Sequence, residues 1–335
     1  MKRRTFVRAT GMTAIAAVSG CSKGGGGKSA STPPKTSETM IYSILGKTGM
    51  KVSRLSFGSH LNKENMADPE GRNRQIQLGI ERGINLFDIY EHSYNQFEPM
   101  SKSLAGHPET FISLYMDSPD VEKRVDEVLR IFSRDAIDLY RAMYEPAKLD
   151  ELIRMREKGK VRAVGIAHHW EEEFVKSIKQ YGDNLDYFMF PYNFVHNKAT
   201  PNDKQNSYAT FLRLAKQHNY GLIGMKPFSN EMLIDFIKQQ GYVGGPKDRG
   251  VSVPAAAIRY ALSTGAIHTS LPAMNSEKEV LENLQAIYQP NLDSLEREVL
   301  EEIDQLAMEN KWAYLDRKPE YRWLVHWVRP GVFNA

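Results

Sequence analysis

Short apolar segments alternate with amphipathic helical segments along most of this chain, and that alternation constrains its fold more than any other feature. Strands alternating with helices of this length predict parallel βαβ units, and eight such units predict a closed (β/α)8 TIM barrel. The predicted strands are Arg54–Ser59, Asn85–Ile89, Phe111–Met116, Ala136–Met143, Ala163–Ala167, Tyr187–Tyr192, Gly221–Pro227 and Ile267–Ala273. The predicted helices include Asn73–Arg82, Val121–Ser133, Leu149–Lys158, Glu171–Gln180, Ser207–His218, Pro254–Ser263, Glu277–Ile287 and Ser294–Glu309.

A β-hairpin is predicted before the first barrel strand, from Ile41 to Ser53, with its turn at Lys47-Thr48-Gly49. The alternative to a barrel is an open, doubly wound sheet. No Gly-x-Gly-x-x-Gly follows the first strand, which weakens a dinucleotide-binding interpretation of that kind.

The first 39 residues indicate export and anchoring. A basic head that contains Arg3-Arg4, a short apolar middle and small residues predict a signal peptide over residues 1–20, and the head resembles a twin-arginine export motif. Cys21 is the only cysteine and ends a segment that resembles a bacterial lipobox, so we expect it to be lipidated. Residues 21–39, rich in Gly, Ser, Lys and Pro, then form a flexible tether. The predicted location is the bacterial cell envelope, outside the cytoplasm.

Composition narrows the classes of function. The 335 residues carry a net charge of +3 with both signs interspersed, and this pattern gives no basic stripe for nucleic acid. One cysteine excludes an intramolecular disulfide and thiolate-rich metal sites. A predicted barrel body over residues 40–310 is followed by an aromatic tail, 311–335, which we interpret either as a lid over a sugar-like or aromatic substrate or as packing on the outer barrel.

The stretch from Asn85 to Tyr94 indicates where chemistry would occur. It begins as a buried strand and then brings Asp88, His92 and Tyr94 together where that strand ends. Active sites of such barrels lie at the C-terminal ends of the strands, so these residues are candidates for proton transfer.

Several segments resemble the aldo-keto reductases in the correct order. Leu45–Gly58 resembles the N-terminal hairpin and first strand of that family, and Gly83-Ile-Asn-Leu-Phe-Asp88 resembles its Gly-Ile-Asn-x-Phe-Asp motif. Lys158–Ile166, Tyr192-Asn193 and Glu279–Asn283 resemble later motifs. The resemblance implies a monomeric barrel that binds NAD(H) or NADP(H) and transfers hydride to or from the carbonyl or alcohol of a small molecule.

The family's catalytic tetrad consists of Asp, Tyr, Lys and His, and only part of it is matched here. Asp88 occupies the Asp position, and Tyr94 lies one residue beyond the expected Tyr. Tyr115 stands in the Lys position and Met143 in the His position. The resemblance therefore implies a rebuilt site, in which Tyr115 could donate the proton and His168 or His169 could tune it.

The cofactor-binding positions also differ from the family pattern. Ala167-His168 replaces the Ser-Asn pair, Met189 replaces a Gln, and Met225 followed by Lys226 replaces a stacking aromatic. Lys226, Glu282 and Asn283 remain candidates for cofactor contact. Glu279 stands where an Arg would pair with a 2′-phosphate, and a carboxylate there favours NAD over NADP.

Two interpretations follow from these residues. The first is a divergent oxidoreductase, and the second is a non-redox binding protein, or a repurposed or inactive barrel without a nicotinamide cofactor. A metal site built on Asp88, His92, His168 and His169 is disfavoured, because adjacent histidines on a strand point to opposite faces.

Overall fold

The alternating segments form a (β/α)8 barrel in the computed structural model, which describes residues 38–59, 67–89, 96–194, 208–229 and 232–309. An antiparallel hairpin, β1 (Tyr42–Ile44) and β2 (Lys51–Ser53), precedes the barrel. The barrel strands are β3 (Phe57–Gly58), β4 (Leu86–Ile89), β5 (Phe111–Tyr115), β6 (Ile137–Ala142), β7 (Val161–Ala167), β8 (Tyr187–Pro191), β9 (Gly221–Met225) and β10 (Thr269–Leu271). Both the predicted barrel and the hairpin before it are confirmed.

The barrel strands pair in chain order, and every pairing is parallel. Isolated parallel bridges join Leu55 to Ser270 and Gly58 to Ala273, so the first and last strands also meet. The carboxyl ends of all eight strands therefore gather at one mouth, where side chains that are distant in sequence become neighbours.

The described helices surround the strands. They are α1 (Pro69–Glu81), α2 (Phe97–Leu104), α3 (Val121–Phe132), α4 (Pro146–Glu157), α5 (Glu171–Tyr181), α6 (Ala209–Gln217), α7 (Met232–Gln239), α8 (Val253–Ser263), α9 (Glu277–Tyr288) and α10 (Ser294–Glu309). Helix α1 begins four residues before its predicted start, because Asp68 caps it and Pro69 fits its first turn. Helices α2 and α7 were not among the predicted segments, and each spans only eight residues.

The strands present two different faces. Outward-facing side chains pack against the helices, as in the aromatic cluster of Phe174, Phe188 and Phe211. Inward-facing side chains such as Leu86, Leu139 and Ile223 form a separate apolar cluster inside the barrel. This alternation decides which polar residues can enter the mouth.

The hairpin closes the opposite end of the barrel. Its Leu45 and Val52 are fully buried in the interior cluster. The turn approaches the start of β9 closely, since Lys47 N donates to Asn219 O at 2.6 Å. Gly46 lies in this contact in the left-handed region, with φ +49°.

We expect Gly46→Ala to lower the free energy of unfolding by about 2–3 kcal/mol. An added Cβ would overlap the backbone of Tyr220 and Gly221, which cannot swing away as a flexible side chain could. Gly49→Ala is the matched control: Gly49 also has a positive φ, +71°, but no described atom lies within 4 Å of the place that an added Cβ would take. The free energy of unfolding of that variant should fall by only about 1 kcal/mol. Urea unfolding measures both variants, and equal losses would contradict the explanation by close backbone contact.

Candidate active site

Four polar side chains lie together on three neighbouring strands at the barrel mouth. Asp88 on β4 is in register with Ser113 on β5, and Tyr115 on β5 is in register with Arg141 on β6. All four are buried. The parallel register thus brings residues up to 53 positions apart into one polar group next to the apolar cluster inside the barrel.

Asp88 and Arg141 form a bidentate ion pair. The guanidinium Nη1 donates to Asp88 Oδ1 at 2.6 Å, and Nη2 donates to Oδ2 at 3.0 Å. Ser113 Oγ donates to Asp88 Oδ1 at 2.7 Å and accepts from Arg141 Nη1 at 2.9 Å. Only 6% of Asp88 and 1% of Arg141 are exposed, so the pair is shielded from water and held rigidly by its own hydrogen bonds.

Arg141 supplies a positive charge that the family pattern did not predict. The family places its cation at the position of Tyr115, whereas here the cation is on the next strand, paired with the aspartate. The guanidinium carbon lies 5.9 Å from the centroid of the Tyr115 ring. The sequence did contain a sign of this cation. Arg141 lies within a strand whose six residues are all buried, where an arginine needs a partner.

Tyr187 forms the floor beneath this group. It is fully buried on β8, and burial raises the pKa of its phenol, so this hydroxyl stays protonated. Its ring lies against Gly165 on β7, where an added Cβ would overlap the ring atoms. The space for Tyr187 therefore depends on the glycine next to it.

The two adjacent histidines follow the end of β7, with their ring centroids 6.2 Å apart, and they have different partners. His168 lies edge-on to Phe174 in the outer layer, with ring centroids 6.2 Å apart, and its Nδ1 accepts from the Trp170 amide at 3.2 Å. His169 faces Lys226, with its Nε2 3.4 Å from Lys226 Nζ. His168 remains the predicted catalytic histidine, and His169, the other candidate for tuning Tyr115, meets the ionisable group of Lys226.

Burial changes the charge of this second pair. It lowers the pKa of Lys226 to about 7, and it lowers that of His169 to about 2, where Lys226 contributes in the same direction. His169 is therefore neutral at physiological pH, and a large fraction of Lys226 is a neutral amine.

Lys226 is held in an uncommon backbone conformation directly after β9. Its φ is +57°, in the left-handed region that a non-glycine residue seldom adopts. Its carbonyl oxygen accepts from Asn193 Nδ2 at 3.2 Å and from the Ser229 amide at 3.0 Å. These hydrogen bonds hold the strained turn and direct the lysine toward His169.

The segment around α9 carries the residues predicted to contact the adenosine end of a cofactor. Glu279 Oε2 accepts from the Asn275 amide at 2.7 Å, and Ser276 Oγ accepts from the Glu279 amide at 3.2 Å. The first turn of α9 is thus capped by its own side chains. Glu282 Oε1 accepts from Ser252 Oγ at 2.7 Å, and Asn283 is 2% exposed.

Some of the remaining predicted residues lie outside the described part of the chain, and the others are methionines in or near the barrel. Tyr94, His92, Cys21 and the aromatic tail 311–335 lie outside the described residues. Met189 and Met225 line the barrel interior, and Met143 is partly buried after β6.

The described residues contain neither a metal-binding cluster nor a membrane-spanning helix. No group of three or more His, Cys, Asp or Glu within them is arranged to hold a metal ion. None of their helices is both long enough and apolar enough to cross a membrane.

Comparison with known proteins gives one family match and several structural neighbours. The Aldo/keto reductase family profile matches residues 54–307. Aldo-keto reductase AKR11C1 from Bacillus halodurans, in an apo and a holo form, superposes with a TM-score of 0.62 at 19% identity, over 79% of this chain and 96% of its own. An aldo-keto reductase candidate from Pseudomonas aeruginosa gives 0.58 at 15% identity, over 76% and 98%. No curated protein matches the sequence.

Proposed function

The chain belongs to the aldo/keto reductase family, and from this premise we propose that it is an oxidoreductase that transfers hydride between a nicotinamide cofactor and the carbonyl or alcohol carbon of a small molecule. The observation that carries the proposal is the buried Asp88–Arg141 pair beside Tyr115 at the barrel mouth. A fixed cation near a phenol favours transfer of the phenol's proton to a carbonyl oxygen.

The residues at the adenosine end fit a dinucleotide that lacks a 2′-phosphate. Glu279 places a carboxylate at the position where the family pairs an arginine with that phosphate. The amides at the start of α9 already have the side chains of Ser276 and Glu279 as acceptors. NAD is therefore the cofactor that these residues would accept, with Glu282, Asn283 and Lys226 as the candidates for holding it.

The bound cofactor would supply the hydride donor or acceptor, and the remaining steps belong to this chain. Tyr115 Oη would give a proton to the substrate oxygen during reduction and take it back during oxidation. Loss of that proton would leave an anion near the Arg141 guanidinium, whose carbon lies 5.9 Å from the centroid of the ring. Asp88 and Ser113 fix the guanidinium in place, so little reorganisation is needed when the charge develops.

A second candidate function is a non-redox barrel that binds or transforms a small molecule without nicotinamide. The apolar lining at Met189 and Met225 favours it, because these side chains replace the amide and the aromatic ring with which the family holds its cofactor. Titration of the purified chain with NAD, NADH, NADP and NADPH separates the two functions. Binding of at least one supports the oxidoreductase, whereas binding of none supports the second candidate.

The sequence features of residues 1–39 add a location to the proposal. We propose that the barrel is exported and anchored by lipid on Cys21, with a tightly held cofactor, because a dissociable one would be difficult to recycle outside the cytoplasm. Absorbance spectra of the natively exported protein test the tight binding. A spectrum without any nicotinamide contribution would contradict it.

We expect NAD(H) to bind at least tenfold more tightly than NADP(H), and Glu279→Gln to reduce that preference by raising NADP affinity about fivefold. Removing one negative charge near the phosphate is worth on the order of 1 kcal/mol, and glutamine retains the capping interaction. Glu301→Gln, which removes an exposed charge on α10, is the control and should leave both affinities unchanged. Fluorescence titration measures both affinities in the wild type and in each variant, and an unchanged NADP affinity in Glu279→Gln would contradict this role.

A further inference from the structure

We propose that Lys226 is a nucleophilic lysine that captures a small aldehyde or ketone as a covalent imine at the barrel mouth. This activity goes beyond hydride transfer and does not depend on it, since imine formation needs no nicotinamide.

The first support is position. Lys226 directly follows β9, so it lies at the end of the barrel where the strand termini gather. It is partly buried, and its backbone is fixed by Asn193 and Ser229. A surface lysine samples many conformations, whereas the Lys226 side chain is attached to a turn whose backbone is held by hydrogen bonds.

The second support is the neighbouring imidazole. His169 follows the end of β7, two strands from β9 in the sheet, and its Nε2 lies 3.4 Å from Lys226 Nζ. The Tyr208 hydroxyl donates to the His169 carbonyl oxygen at 2.7 Å, which fixes the histidine backbone. A neutral imidazole can accept a hydrogen bond from the amine, which orients the amine's lone pair.

The third support is the protonation state, which agrees with the geometry. Burial lowers the pKa of Lys226 to about 7, so about half of the amine is neutral and nucleophilic at pH 7. An exposed lysine titrates near pH 10.4 and is almost entirely protonated under the same conditions. Desolvation of this kind is one established way in which proteins activate a lysine for carbonyl chemistry.

The reaction is balanced without any further reagent. Nζ attacks the carbonyl carbon, and an amine proton passes to the carbonyl oxygen to give a carbinolamine. The carbon–oxygen bond then breaks as the hydroxyl takes a proton and leaves as water, which forms the iminium. Hydrolysis reverses these steps, and no atom is oxidised or reduced.

The test is reductive trapping on the purified full chain, with glycolaldehyde as the probe, sodium cyanoborohydride as the reductant and peptide mapping as the readout. Each trapped lysine gains the mass of the aldehyde less one oxygen. We expect Lys226 to be labelled roughly tenfold or more faster than Lys160, whose pKa is raised by its ion pair with Asp126. The preference should disappear when the chain is unfolded in guanidinium.

Lys226→Arg should remove the fast labelling and leave the slow background, because arginine keeps a positive charge but cannot form the imine. Lys160→Arg should leave the fast labelling intact. The wild-type measurement decides the question even if Lys226→Arg does not fold: labelling of Lys226 no faster than that of Lys160 would overturn the proposal. Failure of the nicotinamide titration would not affect it.

Discussion

Replacing Arg141 by methionine should lower the free energy of unfolding by about 3–5 kcal/mol, because the change leaves the Asp88 carboxylate buried without its partner. Asp88 is 6% exposed and accepts two hydrogen bonds from Arg141. Among the described residues, Ser113 alone would remain as a donor to Oδ1. One neutral hydroxyl cannot replace a bidentate guanidinium.

A double-mutant cycle isolates this interaction from the loss of packing. Asp88→Asn removes the opposite charge, and the double variant Asp88→Asn/Arg141→Met contains neither charge. We expect the double variant to lose at least about 1 kcal/mol less than the sum of the two single losses. Urea unfolding near neutral pH measures all four proteins, and simple additivity would contradict the buried ion pair.

An exposed ion pair provides the matched control. Lys158 Nζ lies 2.6 Å from Glu122 Oε1, but about half of each side chain is exposed. Lys158→Met should therefore lose less than about 1 kcal/mol. A loss comparable to that of Arg141→Met would indicate that removal of any cation, rather than burial of its partner, explains the result.

The architecture could be predicted from the sequence because strand and helix periodicities are local properties. All eight predicted barrel strands occur, although several are shorter than predicted. The last one, for example, spans only Thr269–Leu271 within the predicted Ile267–Ala273. The local sequence pattern determines which face of a strand is apolar. The residues at which strand pairing begins and ends depend also on the neighbouring strands.

The composition of the site was harder to predict, because it depends on register between strands. Asp88 was identified from its motif, but its partner Arg141 lies two strands away, and only the parallel pairing of β4, β5 and β6 brings the two together. The sequence also left open which of His168 and His169 faces the site. Both follow the end of β7 at Ala167, so strand alternation does not fix the direction of either side chain.

Replacing Tyr115 by phenylalanine should lower turnover of the best aldehyde substrate by two to three orders of magnitude, because the variant cannot donate a proton to the carbonyl oxygen. Tyr115 is 7% exposed at the mouth, and the Arg141 guanidinium carbon lies 5.9 Å from its ring centroid. The substitution removes one oxygen and leaves the ring, so the fold and the affinity for NADH should be nearly unchanged.

Tyr140→Phe is the control, since Tyr140 occupies the adjacent strand but its side chain packs in the outer apolar layer. Its hydroxyl is buried without a hydrogen-bond partner among the described residues, so its removal should leave both stability and turnover nearly unchanged. Rates of NADH oxidation, measured with the aldehyde that the wild type reduces fastest, compare the two variants. A Tyr115→Phe protein that retained wild-type turnover would exclude this phenol as the proton donor, because no other atom is removed at the site. Another group, such as the predicted Tyr94, would then have to donate the proton.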